Sequence, residues 1–279
     1  MPLTSIATLM HHPEADLAPL EMAIALARRA GAHLHVLCAG IDDTEPGFYY
    51  AGAQAVAVQQ NLAEARSQGH AVEDIARQRL AAEDILWDVQ TVTVMPGGIE
   101  PFLADTLRYY DLVVLPTPYQ GRKDRIDAIA FESCLFGADT AVMVVPDGYE
   151  PEAGFDRIVV GWDGGNQALA AVRAAEPLIK TADLTQVVIV DPPIHAADRS
   201  DPGGKLAAYL SRIGAKADLY VVARTQPSVG AQILSRATEQ AAGLIVMGAY
   251  NHSRMREAIL GGTTRDMLRL TTIPLLMAH

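Results

Sequence analysis

Two glycine-rich segments in the second half of the chain have the composition of a phosphate-binding site. One is Gly161-Trp162-Asp163-Gly164-Gly165, and the other runs from Gly248-Ala249-Tyr250-Asn251 to Gly261-Gly262-Thr263-Thr264. Glycine lets backbone N–H groups approach a ligand closely and adopts positive φ without strain. Thr263 or Thr264 can cap a following helix, whose N-terminal N–H groups and partial positive charge attract an anion. This pattern favours binding of a phosphate group.

The charged residues near these segments fit the same chemistry. Five basic or titratable residues surround the second segment: His252, Arg254, Arg256, Arg265 and Arg269. Asp163 has the opposite sign, so it suits a ribose hydroxyl or a base N–H instead of a phosphate. The alternative is an ordinary strand-end turn and helix entry, because short glycine motifs often recur by chance.

The two halves of the 279-residue chain differ in charge. Residues 1–150 hold nine Lys and Arg against 21 Asp and Glu, whereas residues 151–279 hold 13 against 12. A protein that binds duplex nucleic acid needs a basic face, so this composition argues against a nucleic-acid partner. We expect only the second half to accept a polyanion.

Composition also favours a soluble cytoplasmic protein. Hydrophobic residues make up 50% of the chain, which excludes an intrinsically disordered protein. The sequence contains no run of about 20 apolar residues, the length that a membrane span requires. It also has no basic region before its first apolar residues, which a signal peptide would have. Cys38 and Cys134 lie far apart in apolar segments, so we expect two buried free thiols.

Short apolar runs alternate with helical patterns, which predicts parallel sheets with helices on both faces. In the second half, strands are predicted at 155–162, 184–190, 215–223, 243–248 and 272–278, and helices at 166–180, 203–214, 229–242 and 263–270. In the first half, strands are predicted at 4–10, 33–39, 86–94, 111–116 and 140–146, and helices at 15–30, 52–68, 71–82, 99–109 and 124–137. The fold class is therefore α/β, with two five-stranded units in tandem.

The two units resemble each other at their ends. DLVVLPTPY at 111–119 matches GLIVMGAYN at 243–251, and each half closes on a similar apolar strand. The Gly-, Pro- and acid-rich segment 147–154 has the composition of a linker, which predicts domains at 1–147 and 155–279. Because each closing strand would otherwise be an unpaired apolar edge, we expect the halves to pack through 140–146 and 272–278.

On these residues the chain resembles the universal stress protein (UspA-like) family in its tandem form. Nucleotide-binding members carry Gly, two residues, Gly, nine residues, then Gly and Ser/Thr after the fourth strand. Here Gly248, Asn251, Gly261 and Gly262 hold those positions. Asn251 tolerates the left-handed region better than most residues, whereas Gly262 displaces the hydroxyl to Thr263.

The resemblance covers residues 155–279 well, and over 1–147 it rests on the element order and the final strands. It implies Rossmann-like domains of the adenine nucleotide alpha hydrolase-like type, and a stress-response sensor or adaptor that binds ATP or another adenine nucleotide, with or without Mg²⁺. It allows a homodimer and an unidentified protein partner. The implied contacts are Asp163 with the adenosine moiety, Val190 or Asp191 beside the adenine, Gly248 at the ribose, and Gly261, Gly262 and Thr263 around the phosphates, with Asn251 and Thr264 in the same loop and helix entry.

Two other functions stay open at this point. One is an interaction protein that has lost nucleotide binding in both halves. The other is a slow ATP hydrolase, which needs a water-orienting residue that the sequence does not identify, so we predict no catalytic residue.

The first half is expected to bind no nucleotide. Its equivalent loop begins Pro116-Thr117-Pro118-Tyr119 and has no glycine pair before the last helix. An apolar or metal ligand remains an alternative there. His33 and His35 on one strand, and His11-His12 at the end of its neighbour, could share a metal ion, but no fourth ligand is evident. We interpret these histidines as polar strand-edge residues and predict no metal site.

Overall fold

Ten strands alternate with helices along residues 2–14, 16–42, 54–95, 97–120, 125–151, 154–192, 201–249 and 262–279, the part of the chain that the computed structural model describes. The first half contains β1 (Ser5–Met10), α1 (Leu17–Ala30), β2 (His33–Ile41), α2 (Gln54–Leu80), β3 (Trp87–Val94), α3 (Ile99–Leu107), β4 (Leu112–Pro116), α4 (Arg125–Glu132), a π-helical turn (Ser133–Gly137) and β5 (Val142–Val145). The second half contains β6 (Arg157–Gly161), α5 (Asn166–Ala174), α6 (Glu176–Ile179), β7 (Leu184–Val190), α7 (Gly204–Arg212), β8 (Ala217–Val222), α8 (Val229–Glu239), β9 (Leu244–Gly248), α9 (Gly262–Leu270) and β10 (Leu275–Ala278). Every predicted strand is present.

All ten strands form one sheet, in the order β3-β2-β1-β4-β5-β10-β9-β6-β7-β8. Pairing is parallel within each half, and the two halves meet where β5 and β10 pair antiparallel, with Leu275 opposite Val144 and Met277 opposite Val142. The expected packing through the two closing strands is therefore confirmed. A hydrophobic core lies on each face of the sheet, and each of these cores includes residues of both halves.

Side chains also cross this junction. The Gln120 Nε2 donates a hydrogen bond to the carbonyl of Thr271 at 2.8 Å, and the ring of Phe136 meets that of His279 edge-on at 5.0 Å. The Arg29 guanidinium donates to the Thr181 hydroxyl at 2.8 Å. These contacts hold the halves together beyond the strand pair itself.

Helix α2 corrects one prediction. Residues 52–68 and 71–82 are predicted as two helices, but Gln54–Leu80 is a single helix that includes Gly69. Gly69 does not break the helix, because its missing side chain brings the helix backbone against Gly40 of β2. A Cβ at Gly69 would lie 3.1 Å from the Gly40 nitrogen, and a Cβ at Gly40 would lie 1.9 Å from the Ala65 carbonyl oxygen. A glycine inside a helix can thus serve packing instead of termination.

Three further observations complete the fold. Cys38 and Cys134 are free and buried, as predicted, and burial raises the pKa of the Cys38 thiol to about 12.

Ser228 caps the N-terminus of α8, and its hydroxyl accepts the N–H of Ala231 at 3.2 Å. Among the residues described above, no helix combines the length and apolar character that a membrane crossing requires.

Candidate functional site

The predicted site residues of the second half lie at the carboxyl edge of its strands. Strand β6 lies between β9 and β7, so the chain leaves β6 towards one side of the sheet and returns on the other. Ligands of open α/β sheets bind outside such a reversal point. Asp163 follows β6, Val190 ends β7 and Gly248 ends β9, so the structure brings these three predicted residues to one edge.

Asp163 organises the turn that leads from β6 into α5. Its Oδ1 accepts the N–H of Gly165 at 2.8 Å, and Gly164 between them has φ +80°, which a residue with a side chain adopts only with strain. The side chain of Asp163 is exposed. The carboxylate therefore lies at the surface of the edge, on a turn of defined shape.

Gly248 has a packing role that the sequence did not reveal. A Cβ at this position would lie 2.5 Å from the Ala168 nitrogen and 2.9 Å from the Gln167 Cβ, both at the start of α5. The backbone of β9 thus touches the first turn of α5. Glycine is required here for helix–strand contact whether or not a ribose lies nearby.

The end of β7 is partly engaged by its neighbours. Val190 is half-buried and packs against the core. Asp191 has φ +48°, and its Oδ1 accepts the N–H of Arg224 at 2.9 Å. Asp191 therefore holds the chain after β8, and Val190 is the better candidate for contact with a flat base.

The N-terminus of α9 is the candidate anion-binding element. The helix begins at Gly262, which is exposed, and a Cβ at Gly262 would meet no atom of the described residues within 4 Å. Thr263 is half-buried and Thr264 is buried. On its other side the helix packs on α8, where a Cβ at Gly230 would lie 3.2 Å from the Thr263 carbonyl. The open space at Gly262 fits a phosphate group, whereas Asn251 and Gly261 lie outside the described residues.

Arg265 and Arg269, which the sequence placed near the phosphates, have charges that reach Tyr119 of the first half. Burial, and then the Glu132 carboxylate, raise the pKa of Tyr119 to about 12, whereas the two Arg charges lower it. The Tyr119 hydroxyl donates a hydrogen bond to the Glu132 Oε1 at 3.1 Å. His252, Arg254 and Arg256 lie outside the described residues.

The equivalent edge of the first half carries acidic groups and a histidine. Asp16 and Asp127 are buried, and the His11 Nε2 lies 2.8 Å from the Asp127 Oδ1. Sequence reasoning noticed His11 but missed both aspartates, because Asp127 lies 116 residues further along the chain. Only a comparison of the two halves, in which α4 corresponds to α9 as the helix before the last strand, could have indicated Asp127.

His33 and His35 lie at the opposite edge from His11. His33 pairs with Ser5 at the start of β1, whereas His11 follows the end of that strand. Both ring systems approach Asp88, the His35 Nδ1 at 2.8 Å and the His33 Nε2 at 3.5 Å. The interpretation of these two histidines as strand-edge residues fits this placement.

Comparison with known proteins supports one family. Residues 154–279 match the model of the universal stress protein family. The sequence has no significant match among curated proteins. A universal stress protein from Archaeoglobus fulgidus DSM 4304 has a similar structure, with a TM-score of 0.76, 14% identity, and coverage of 98% of this chain and 97% of that one.

Two further structures are similar in different ways. A protein of unknown function from Pseudomonas aeruginosa PAO1 has a TM-score of 0.62 and 15% identity, and the match covers 98% of this chain and 92% of that one. A universal stress protein solved in complex with cAMP is 21% identical over 45% of this chain and 98% of that one, with a TM-score of 0.37. The first two matches show that the Rossmann-like fold extends along nearly the whole chain. The family model assigns residues 154–279 to the universal stress protein family, and the structural matches add the fold of the remaining residues.

Proposed function

We propose that the second half binds an adenine nucleotide, with ATP as the first candidate, at the carboxyl edge of β6, β7 and β9. The observation that carries this proposal is the meeting of Asp163, Val190 and the exposed N-terminus of α9 at the reversal point of the sheet. Each group suits a different part of the ligand: a carboxylate for sugar hydroxyls, an apolar residue for the base, and backbone N–H groups for phosphates.

The charge distribution agrees with this choice of half. Residues 151–279 hold nearly equal numbers of acidic and basic residues, whereas residues 1–150 hold a large acidic excess. A nucleotide with several negative charges is repelled less by the second half. With Mg²⁺ bound to its phosphates, the ligand would carry less charge still.

The consequence of binding is a shift in conformation or stability. A ligand present at a hundred times its dissociation constant stabilises the bound state by about 2.7 kcal/mol. If two conformations differ fully in affinity, this changes their ratio by about a hundredfold. A sensor or adaptor needs such a shift and no fast chemistry, so this is the output that we propose.

Thermal unfolding of the full chain with ATP, ADP, AMP or cAMP tests the proposal. ATP at millimolar concentration should raise the melting temperature of the wild type. The Gly262→Val variant should lose the shift, since its side chain fills the space proposed for a phosphate, and Gly262→Ser should show a larger one. Both variants should keep the fold, because a Cβ at Gly262 meets no neighbour within the ranges that the structure describes.

Asp163 is tested with a matched pair of variants. Asp163→Asn keeps an oxygen for the Gly165 N–H, whereas Asp163→Ala loses it. If Asp163 also binds the ribose, both should weaken nucleotide affinity by about 0.5–1.5 kcal/mol, the net value of one hydrogen bond. Weakening by Asp163→Ala alone would assign Asp163 to the turn only.

Two results would contradict the proposal. If neither the wild type nor Gly262→Ser responds to any adenine nucleotide, the nucleotide-free interaction protein becomes the better function. If wild type and Gly262→Val respond equally, the nucleotide binds elsewhere. Phosphate release that saturates with ATP would support the slow hydrolase.

A further inference from the structure

A buried cluster of three metal-ligating side chains lies at the carboxyl edge of the first half. His11 follows β1, Asp16 precedes α1, and Asp127 is the third residue of α4. Each offers a nitrogen or oxygen atom, and these atoms all lie within 4.8 Å of one another. His11 and Asp16 lie in the connection between β1 and α1, and Asp127 comes from α4, more than a hundred residues later.

One oxygen in this cluster lacks a hydrogen-bond partner. Asp16 is completely buried, and its Oδ2 accepts the N–H groups of His11 and His12 at 2.7 and 2.8 Å. No donor among the described residues reaches its Oδ1, which is also buried. An unpaired buried acceptor costs about 1–3 kcal/mol, and more if it is charged. A cation is one partner that can satisfy such an atom.

The electrostatics of Asp16 favour a cation as that partner. Asp16 and Asp127 are both buried, and their ligand atoms lie within 4.8 Å of each other. Two carboxylates in one buried space repel each other unless a positive charge lies between them. The acidic excess of residues 1–150 attracts cations in the same way.

We propose that His11, Asp16 and Asp127 bind one divalent transition-metal ion, with Zn²⁺ as the first candidate and Mn²⁺ as the second. Imidazole nitrogen with carboxylate oxygen is a ligand set that these ions accept, whereas Ca²⁺ takes oxygen ligands alone. Three protein ligands leave one position for water. At ion–ligand distances of about 2.0–2.2 Å, the ligand atoms of a tetrahedral site are about 3.4 Å apart. The His11 Nε2 and the Asp127 Oδ1, which are 2.8 Å apart, therefore have to separate to let the ion in between.

The alternative is a purely structural hydrogen-bond network, in which His11 pairs with Asp127 and Asp16 ties the turn after β1. Titration calorimetry of the full chain, first stripped with EDTA and then titrated with zinc chloride or manganese chloride, distinguishes the two. The wild type should bind one ion saturably. Asp16→Asn keeps the shape and an acceptor for the two N–H groups, yet should weaken binding by at least about tenfold to a hundredfold, because even loss of a ligand's hydrogen-bond partner costs that much.

His12→Gln is the matched control for the neighbouring imidazole and should bind the ion as the wild type does. His35→Gln controls for the histidines beside Asp88 and should also bind normally. If Asp16→Asn does not fold, His11→Gln takes its place, with Co²⁺ absorption in the visible range as a readout of the coordinating groups. The response to ATP, which belongs to the second half, should persist in all these variants.

Three outcomes would overturn the proposal: no saturable binding of Zn²⁺ or Mn²⁺ by the wild type, equal affinity in the wild type and the Asp16 or His11 variant, or loss of binding in His35→Gln. The first two would leave the hydrogen-bond network as the explanation of the cluster. The third would place the ion at the opposite edge of the sheet.

Discussion

The third residue of the helix that follows the fourth strand is Asp127 in the first half and Thr264 in the second, and both are buried. Each residue lies near the described start of its helix, on the carboxyl side of the fourth strand of its half. One helix brings a carboxylate towards His11, and the other brings a hydroxyl to an edge where Gly262 leaves open space. Under the two proposals, both ligands lie at the carboxyl edge of the sheet, and the residues near the helix start select a cation in the first half and an anion in the second.

The same contrast appears at the start of the fourth strand, away from the ligand edge. Asp111 before β4 accepts four hydrogen bonds through its Oδ2, from the backbone and hydroxyl groups of Thr4 and Ser5. Its counterpart is Gly243, where a Cβ would lie 3.3 Å from the Phe155 ring. In the first half, the Asp111 carboxylate connects the starts of β1 and β4 by hydrogen bonds. In the second half, the Phe155 ring before β6 packs against the backbone of Gly243 before β9.

The largest effect is expected in the first half, where α2 packs on β2 through the two glycines Gly40 and Gly69. Gly40→Ala would place a Cβ 1.9 Å from the Ala65 carbonyl oxygen, a backbone atom of α2 that cannot rotate away. We expect the free energy of unfolding to fall by about 3 kcal/mol or more. Urea denaturation measures this, with Gly97→Ala as a control because a Cβ there meets nothing within 4 Å. Equal stability of the two variants would contradict the close contact of α2 and β2.

A smaller loss is expected at Gly248 in the second half. Gly248→Ala would bring a Cβ 2.5 Å from the Ala168 nitrogen, which should cost about 2 kcal/mol of unfolding free energy. Gly262→Ala should change it by less than about 0.5 kcal/mol, because its surroundings are open. If both variants are equally stable, Gly248 is not needed for the contact with α5. This pair separates a glycine required by the fold from one proposed for the ligand.

The smallest effect concerns Asp111 and depends on pH. Burial favours its neutral form, but the hydrogen bonds from Thr4 and Ser5 outweigh this and lower the pKa of Asp111 from the ordinary value of 3.8. A carboxyl group with a lower pKa in the folded state stabilises the fold above its unfolded pKa and loses that effect as pH falls. Asp111→Asn should therefore lower the unfolding free energy by about 1 kcal/mol at pH 7, discounted for its partial exposure.

The pH profile decides whether the charge of Asp111 matters. The difference between wild type and Asp111→Asn should shrink as the pH is lowered from about 4 through the pKa of the folded state. A difference that is constant from neutral to acidic pH would assign the effect to shape alone. Chemical denaturation at a series of pH values provides the comparison.

The strands and the pairing of the two halves could be predicted from the sequence, because an apolar strand at the edge of a sheet needs another strand to pair with. It failed at α2, since the same Gly69 that usually ends a helix can also allow close packing, and only the position of Gly40 in space decides between the two. It also failed at the first ligand edge. Asp16 and Asp127 look like ordinary helix residues until the sheet brings them to His11, and distances across more than a hundred residues are set by the fold.

Because β5 and β10 belong to one chain, their antiparallel pairing does not depend on protein concentration. Two separate subunits joined through such strands would dissociate on dilution, so their stability would follow mass action. Here one chain supplies both strands, and the pairing is an intramolecular event with a fixed effective concentration. Each molecule therefore always carries one acidic and one neutral half. A mutation in this chain changes the carboxyl edge of one half and leaves that of the other half unchanged. In a dimer of identical subunits, the same mutation would change both edges.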